Sequence, residues 1–212
     1  MSGKRLNKLT RTALAKLATL QEKQTDIWLR MLQAYGGAFY PLDMLAVGAL
    51  NRSAALGAGF RGLIEQRNFL CAAPILRLQL DTALRFYAAF IVEDPHAFAS
   101  AVLKGTPVRK LKDKSGTFMH DAHLVSCLSK EYPWIASVYE KTCGYIHLSE
   151  QHIFQAAESL NTQERTIGFK LSAEDKDLAD ETYERSKHSL LRHSYFTAMS
   201  RDGFTPKTIL MP

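Results

Sequence analysis

Three charged residues at steps of four form the first group that predicts a chemical role. Arg77, Asp81 and Arg85 lie at positions i, i+4 and i+8, so a helix places them on one face. Arginine binds phosphate through paired hydrogen bonds, and the aspartate between them would hold both guanidinium groups in place. The alternative is a surface salt-bridge ladder, which contributes about 0.2–0.5 kcal/mol per pair. Both interpretations remain open from the sequence.

A second polar group follows Gly144, which is expected to end a helix. Tyr145, His147, Ser149 and His152 come directly after it. Imidazole titrates near neutrality and serves as a general acid or base, so His147 and His152 are the candidate proton-transfer groups. Tyr145 and Ser149 are candidate substrate contacts. The alternative is a turn in which these side chains only satisfy backbone groups.

Three further patterns carry weaker signals. The segment His120-Asp121-Ala122-His123 contains an adjacent His-Asp pair, as metal phosphohydrolases do, but the sequence identifies no further ligands, and no metal site is predicted. Residues 57–62 match GxGxxG inside an Ala-rich helical pattern without a preceding strand, so no cofactor is predicted. Basic residues on the last predicted helix read as a solvated face or a phosphate contact: Arg185, Lys187, His188, Arg192 and His193.

Hydrophobic periodicity predicts the elements that must position these groups. Residues 6–35 place apolar side chains at alternating steps of three and four, which is typical of one long amphipathic helix. Such a helix spans roughly 45 Å, so residues 1–36 are predicted to form an arm through which the chain oligomerises or binds a partner protein. The stripe comprises Leu6, Leu9, Ala13, Leu17, Leu20, Gln24, Ile27 and Met31.

The remaining chain predicts a single all-α domain over residues 1–212, a helical bundle with long N- and C-terminal helices. Five inner helices are expected, over 42–66, 74–92, 95–105, 120–131 and 133–143, with a basic loop at 106–118. Pro74 is assigned to the first turn of its helix. Residues 153–171 favour either a small β-hairpin, from Ile153-Phe154 and residues 166–171, or irregular structure. Ser172 begins a last helix of about 28 residues.

Composition narrows the class of protein further. The 212 residues are 46% hydrophobic and 23% charged, which argues against disorder. The absence of an apolar run of 18 residues argues against a membrane-spanning helix. Three separated cysteines favour a reducing cytoplasm. The net charge is +6, and five positive charges precede Glu22, the first acidic residue. Such a segment either attracts phosphate backbones or forms a solvated helix face.

Residues 76–85 and 145–152 together resemble a group of uncharacterised bacterial helical proteins, in which an R-x-x-x-[ED] helix is followed by a Y-x-H-x-S segment. The chain is also distantly similar to the HEPN helical bundles. That resemblance implies metal-independent RNA cleavage in a toxin or anti-phage system. The HEPN hallmark, an arginine followed after four to six residues by a histidine, is absent from this chain.

Two hypotheses follow for the function. In the first, a cytoplasmic bundle acts on RNA or another phosphate ligand without a metal or cofactor. Arg77 and Arg85 hold the phosphate, and Asp81 orients them. His147 acts as acid or base with the help of His152. In the second hypothesis, the chain is a non-enzymatic protein that pairs with a second copy or a partner through residues 6–35.

Overall fold

A computed structural model provides the structure, which describes residues 8–161, 163–169 and 171–172. The predicted all-α helical fold is confirmed. The helices in the described residues are α1 (Lys8–Gln33), α2 (Pro41–Glu65), α3 (Phe69–Tyr87), α4 (Pro95–Leu103), α5 (Asp121–Ser129), α6 (Trp134–Cys143) and α7 (Glu150–Ala156). Short 3-10 turns cover Ala34–Gly37, Ala88–Phe90 and Val108–Lys110, and two strands follow α7: β1 (Ala157–Asn161) and β2 (Thr166–Phe169).

The long first helix is present as predicted. Its described inner face buries Leu14, Leu17 and Gln24. Leu17 and Gln24 belong to the predicted stripe, whereas Leu14 was not assigned to it. The 3-10 turn that follows α1 ends in two glycines, and Gly36 and Gly37 both have positive φ angles, of 64° and 87°. Glycine adopts this left-handed conformation without the steric cost of a Cβ atom. The chain therefore reverses here and returns as α2.

Helix α3 begins five residues earlier than predicted, which places Pro74 inside the helix and not in its first turn. The Asn68 side chain caps the earlier start, because its oxygen accepts a hydrogen bond from the Cys71 backbone N–H at 3.0 Å. The added turns bury Phe69 and Ala72. Proline removes one helical hydrogen bond, and the cap together with this apolar burial offsets that loss.

Two hydrophobic clusters hold the helices together, and α2 and α3 contribute to both. The larger cluster joins them to α4, α5 and α6 through residues such as Leu84, Phe98, Leu124 and Ile135. The smaller cluster joins them to α1 around Phe60 and Ile64. Because α3 runs along both clusters, its polar residues lie close to the places where other helices pack against it.

The short helices match their predictions closely. The Asp94 carboxylate caps α4 by accepting hydrogen bonds from the backbone N–H groups of His96 and Ala97, each at 2.9 Å. The loop between α4 and α5 contains a bridge between Lys112 and Phe118. Pro133 separates α5 from α6, as the sequence indicated.

The predicted hairpin is formed by β1 and β2, which pair antiparallel. Its first strand starts at Ala157, and Ile153 and Phe154 lie in α7 instead. The predicted C-terminal helix lies outside the described residues, so the single-domain assignment of residues 1–212 stays a prediction. Among the described helices, none is long and apolar enough to cross a membrane.

Candidate functional site

Asp121, the first residue of α5, joins three helices at one point. Its Oδ2 atom accepts a hydrogen bond from Nη2 of Arg77 at 3.2 Å, and its Oδ1 atom accepts one from Arg85. The Tyr139 hydroxyl of α6 donates to the same carboxylate at 3.4 Å. Hydrogen bonds between ionised partners are stronger than neutral ones. One carboxylate therefore fixes two arginines of α3 and a tyrosine of α6.

Arg77, Asp81 and Arg85 lie in one row on α3, as predicted. However, Asp81 contributes less to the orientation of the arginines than the sequence suggested. Asp81 forms an ion pair with Arg85 at 3.2 Å, one helical turn away. The carboxylate that contacts both Arg77 and Arg85 is Asp121, which lies 44 and 36 residues further along the chain. The row is thus neither a solvated ladder nor a set of arginines oriented by Asp81 alone.

Arg77 is the most enclosed member of this network, with only 12% of its side chain exposed. Its guanidinium carbon lies 4.1 Å from the centre of the Tyr139 ring, the geometry of a cation–π contact. Burial works against its charge. Even so, its pKa is raised, because Tyr139, a hydrogen bond with Cys143 and the Asp121 carboxylate favour the protonated form. Arg77 is consequently charged and held in one orientation.

The pKa values of the partners follow from the same contacts. Burial disfavours ionisation of Asp121, but the hydrogen bonds and charges of Arg85 and Arg77 outweigh it and lower the pKa. Burial raises the pKa of Tyr139, assisted by the nearby Asp121 charge. At neutral pH, Asp121 is therefore an anion and Tyr139 keeps its proton.

A cleft of about 380 Å³ opens beside this network. Polar and ionisable groups in its wall come from α3, α5, α6 and the turn that follows α6, and two apolar side chains complete it. The lining residues are Arg77, Leu78, Asp81, Asp121, Tyr139, Cys143, Ile146 and His147. The structure thus brings His147 into one cleft with Arg77 and Asp81, although some seventy positions separate them in the sequence.

The turn after α6 reaches the cleft because its two sides pack in different clusters. Tyr139 packs against the larger cluster and Tyr145 against the smaller one. The Tyr145 ring meets Phe69 edge to face, with 5.9 Å between ring centres. Ile146 and His147 follow directly, and both are exposed at the cleft. Packing of the two tyrosines therefore places the histidine.

Four predicted site residues lie outside the cleft lining: Arg85, which pairs with Asp81 and Asp121, and Tyr145, Ser149 and His152, which belong to the turn after α6 or follow it. The Ser149 hydroxyl donates to the Gly144 carbonyl oxygen at 2.8 Å, and the Ser149 backbone N–H donates to Nδ1 of His152 at 3.2 Å. The His152 ring also packs on Tyr145, with 6.3 Å between ring centres. In the described contacts, Tyr145, Ser149 and His152 brace the turn that carries His147.

The histidines around Asp121 do not join it in a common site. Nε2 of His123 lies 2.8 Å from Oδ2 of Asp113, and the His120 ring packs against Phe118. A hydrogen bond from the Ser115 hydroxyl lowers the pKa of Asp113, and His123 lowers it further. Within the described residues, no group of three His, Cys, Asp or Glu side chains is arranged to hold a metal ion.

Cys127 completes a Cys-His-Asp arrangement that differs from a catalytic triad. Its sulfur lies 3.6 Å from Nε2 of His123, the same nitrogen that contacts Asp113. A triad needs the two ring nitrogens for separate partners, one for the nucleophile and one for the orienting carboxylate. This cluster therefore fastens the 106–118 loop to α5.

The fold and the cleft define an all-α protein with a charged, partly apolar cleft at the junction of three helices. Comparisons with protein-family models, with curated proteins and with solved structures gave no significant match.

Proposed function

We propose that this chain binds a phosphate group of RNA in the cleft beside Asp121 and cleaves the RNA without a metal. The observation that carries the proposal is the fixed orientation of Arg77, which stacks on Tyr139 and pairs with Asp121 at the cleft wall. A guanidinium group that is already oriented loses little conformational freedom when an anion binds. This gives the cleft a preorganised phosphate contact.

Arg77 retains hydrogen-bonding capacity for such a ligand. A guanidinium group has five N–H donors, and the described hydrogen bond to Asp121 uses only part of this set. Arg85 is shared between Asp81 and Asp121 and does not line the cleft. The phosphate therefore binds mainly to Arg77, and Arg85 keeps Asp121 in position.

The cleavage step uses two further groups of the cleft, His147 and Tyr139. His147 takes the proton from the ribose 2′-hydroxyl, whose oxygen attacks phosphorus. The bond to the 5′-oxygen breaks, and that oxygen takes a proton from the Tyr139 hydroxyl or from water. The products are a cyclic phosphate and a free 5′-hydroxyl. Positioned charge and proton transfer together suffice for this class of reaction.

The biological setting belongs to the same proposal. The distant HEPN resemblance supports a toxin or anti-phage effector, and the three free cysteines of the described residues fit a reducing cytoplasm. Among the sequence candidates, Arg77, Arg85, Asp81 and His147 keep roles at the cleft. His152, Ser149 and Tyr145 support the turn that holds His147.

Binding is tested with a fluorescent single-stranded RNA and the full chain, measured by anisotropy in the presence of EDTA. Arg77→Gln is expected to weaken binding by roughly 30-fold, because a charge-assisted hydrogen bond is lost. Arg30→Gln on α1 removes the same charge from an exposed ion pair with Asp26 and is expected to change affinity less than about threefold. Equal losses in the two variants contradict a specific site.

Cleavage is tested separately by following RNA decay and growth after induced expression. His147→Ala is expected to retain RNA binding and to lose cleavage. Arg77→Ala is expected to lose both. If folded protein cleaves RNA equally well with either substitution, the cleft is not the catalytic site.

A second candidate function, docking to a partner protein or a second copy, is favoured by the corner between α1 and α2. Six large apolar side chains are exposed there over only 17 positions: Trp28, Leu29, Leu32, Phe39, Tyr40 and Met44. A concentration of exposed apolar side chains is typical of an interaction site when they form one patch. This corner adjoins the long helix that the sequence assigned to oligomerisation.

Light scattering on purified protein tests this candidate. The double variant Trp28→Ser with Leu32→Ser is expected to reduce the measured mass if the corner joins two copies. Leu103→Ser, which changes an exposed leucine at the end of α4, serves as the matched control. An assembly that survives the double change excludes the corner as a self-association surface.

A further inference from the structure

We infer that the cleft takes a nucleoside monophosphate unit, with its phosphate on Arg77 and its base against Leu78 and Ile146. The inference rests on the proposed phosphate contact and adds an apolar contact for the base of the ligand. The unit is either a free nucleotide or one nucleotide of an RNA strand, since both present the same chemistry.

The charge balance of the cleft shows that phosphate alone gains little there. The guanidinium groups of Arg77 and Arg85 are matched by the carboxylates of Asp81 and Asp121, which contact them directly. An approaching anion is attracted by the arginines and repelled by the nearby carboxylates at similar range. Hydrogen bonds to Arg77 therefore orient the phosphate, but a net positive field does not hold it.

Apolar contact with the base supplies binding free energy that the balanced charges of the cleft do not. Leu78 of α3 and Ile146 of the turn after α6 line the same cleft as Arg77, and 37% and 42% of these residues remain exposed. When a flat, weakly hydrated ring covers exposed apolar side chains, apolar surface leaves the water, and this stabilises the complex. Because Arg77, Leu78 and Ile146 line one cleft, a single ligand can reach both the apolar and the ionic contacts.

The size and the polar groups of the cleft fit such a ligand. Its volume of about 380 Å³ falls in the range of sites that enclose small organic ligands. His147 lines the same cleft as Ile146 and Arg77 and adds an ionisable group to it. The ribose that joins the base to the phosphate would occupy the same cleft as this histidine.

The test compares 5′-AMP with ribose 5-phosphate, which lacks the base, by isothermal titration of the full chain. Wild type is expected to bind AMP at least tenfold more tightly, about 1.4 kcal/mol. Ile146→Ser, or Leu78→Ser if the first variant does not fold, is expected to reduce that ratio below threefold and to leave ribose 5-phosphate binding unchanged. Leu148→Ser is the matched control, because Leu148 is 87% exposed and lies outside the cleft lining.

The outcomes separate this inference from the proposed function. Equal affinity for AMP and ribose 5-phosphate overturns the base contact but leaves the phosphate contact standing. Binding of neither ligand, nor of a decaadenylate RNA, overturns both. A decaadenylate that binds more tightly than AMP, with the same loss in Ile146→Ser, supports the inference and identifies RNA as the source of the nucleotide. If AMP binds at least as tightly as decaadenylate, the inference is also supported, and a free nucleotide is the source of the ligand.

Discussion

Helix α3 carries two polar networks only two residues apart, and they differ in what surrounds them. Gln79 faces the interior, where its amide and that of Gln24 both donate to the Ser53 hydroxyl, the latter at 2.8 Å. Arg77 faces the cleft and is held by Asp121 and Tyr139. The first network is neutral and buried on all sides, whereas the second is charged and borders open space.

The difference separates a structural role from a ligand-binding role. The Gln24–Ser53–Gln79 network ties α1, α2 and α3 together, and its three residues are almost completely buried. The network around Asp121 also ties three helices together, but part of its surface lines a cleft. Substitutions in the first network should change stability alone, and substitutions in the second should change stability and binding to different degrees.

The largest effect is expected for Asp121→Ala. This change leaves Arg77, Arg85 and the Tyr139 hydroxyl without their shared acceptor, and an uncompensated, largely buried charge is costly. Because Asp121 is 31% exposed, we expect a loss of about 3 kcal/mol in the free energy of unfolding, toward the lower end for buried pairs. Urea unfolding measures it. A loss below about 1 kcal/mol contradicts the role of Asp121 as the hub.

Arg77→Gln sharpens the comparison, since it should affect binding more than folding. The glutamine keeps part of the packing on Tyr139 but loses the charge. We expect RNA affinity to fall by roughly 30-fold, about 2 kcal/mol, while the free energy of unfolding falls by about 1 kcal/mol. Anisotropy and urea unfolding on the same preparation give both values. A loss of stability that exceeds the loss of binding would make Arg77 a structural residue like Gln79.

Ser53→Ala is the corresponding change in the buried Gln24–Ser53–Gln79 network. Two buried amide groups lose their acceptor, so we expect a loss of about 1–2 kcal/mol in the free energy of unfolding. RNA and nucleotide binding should not change. Weaker binding by folded Ser53→Ala protein would show that the two networks are coupled through α3.

Acid should reduce the contribution of Asp121 in a predictable direction. Its folded-state pKa lies below the ordinary value of 3.8, so its stabilising contribution is complete above that value and disappears as the pH falls toward the lowered pKa. The stability difference between wild type and Asp121→Asn should therefore be smaller at about pH 3 than at pH 6. A difference that grows in acid would mean that the folded state does not favour the carboxylate.

The smallest effect is expected for Asp26→Asn on α1. Asp26 pairs with Arg30 one turn away, but both side chains are more than 60% exposed. Exposed pairs of this type contribute about 0.5 kcal/mol or less. The thermal midpoint should hardly change and RNA binding should stay constant, which makes this variant a baseline for the others.

Local patterns predicted much of this architecture because their causes are local. The apolar stripe of α1, including the polar Gln24, follows from helical periodicity, and the glycine pair at its end follows from backbone freedom. The cap at Asp94 likewise depends on neighbouring residues. The start of α3 was wrong, because the Asn68 cap and the burial of Phe69 outweighed the usual placement of a proline. The first strand of the hairpin was also placed too early, since Ile153 and Phe154 lie in α7.

The candidate site depended on contacts that no local pattern reveals. The row from Arg77 to Arg85 could be read from its spacing, but its principal carboxylate arrives from α5 only when the helices pack. In the sequence, Asp121 is distinguished only as part of a His-Asp pair at the start of a predicted helix. His152 has an imidazole side chain that could act in catalysis, but its Nδ1 accepts a hydrogen bond from the backbone of Ser149 in its own turn.

The central claim, that Arg77 binds phosphate at the cleft, is tested most directly by nitrogen-15 NMR of the arginine side chains during a titration with 5′-AMP. We predict a saturable shift of the Arg77 Nε–Hε signal, while the signals of Arg30 on α1 and Arg52 on α2 stay in place. An unchanged Arg77 signal, or equal unsaturable shifts of all three, would contradict the account.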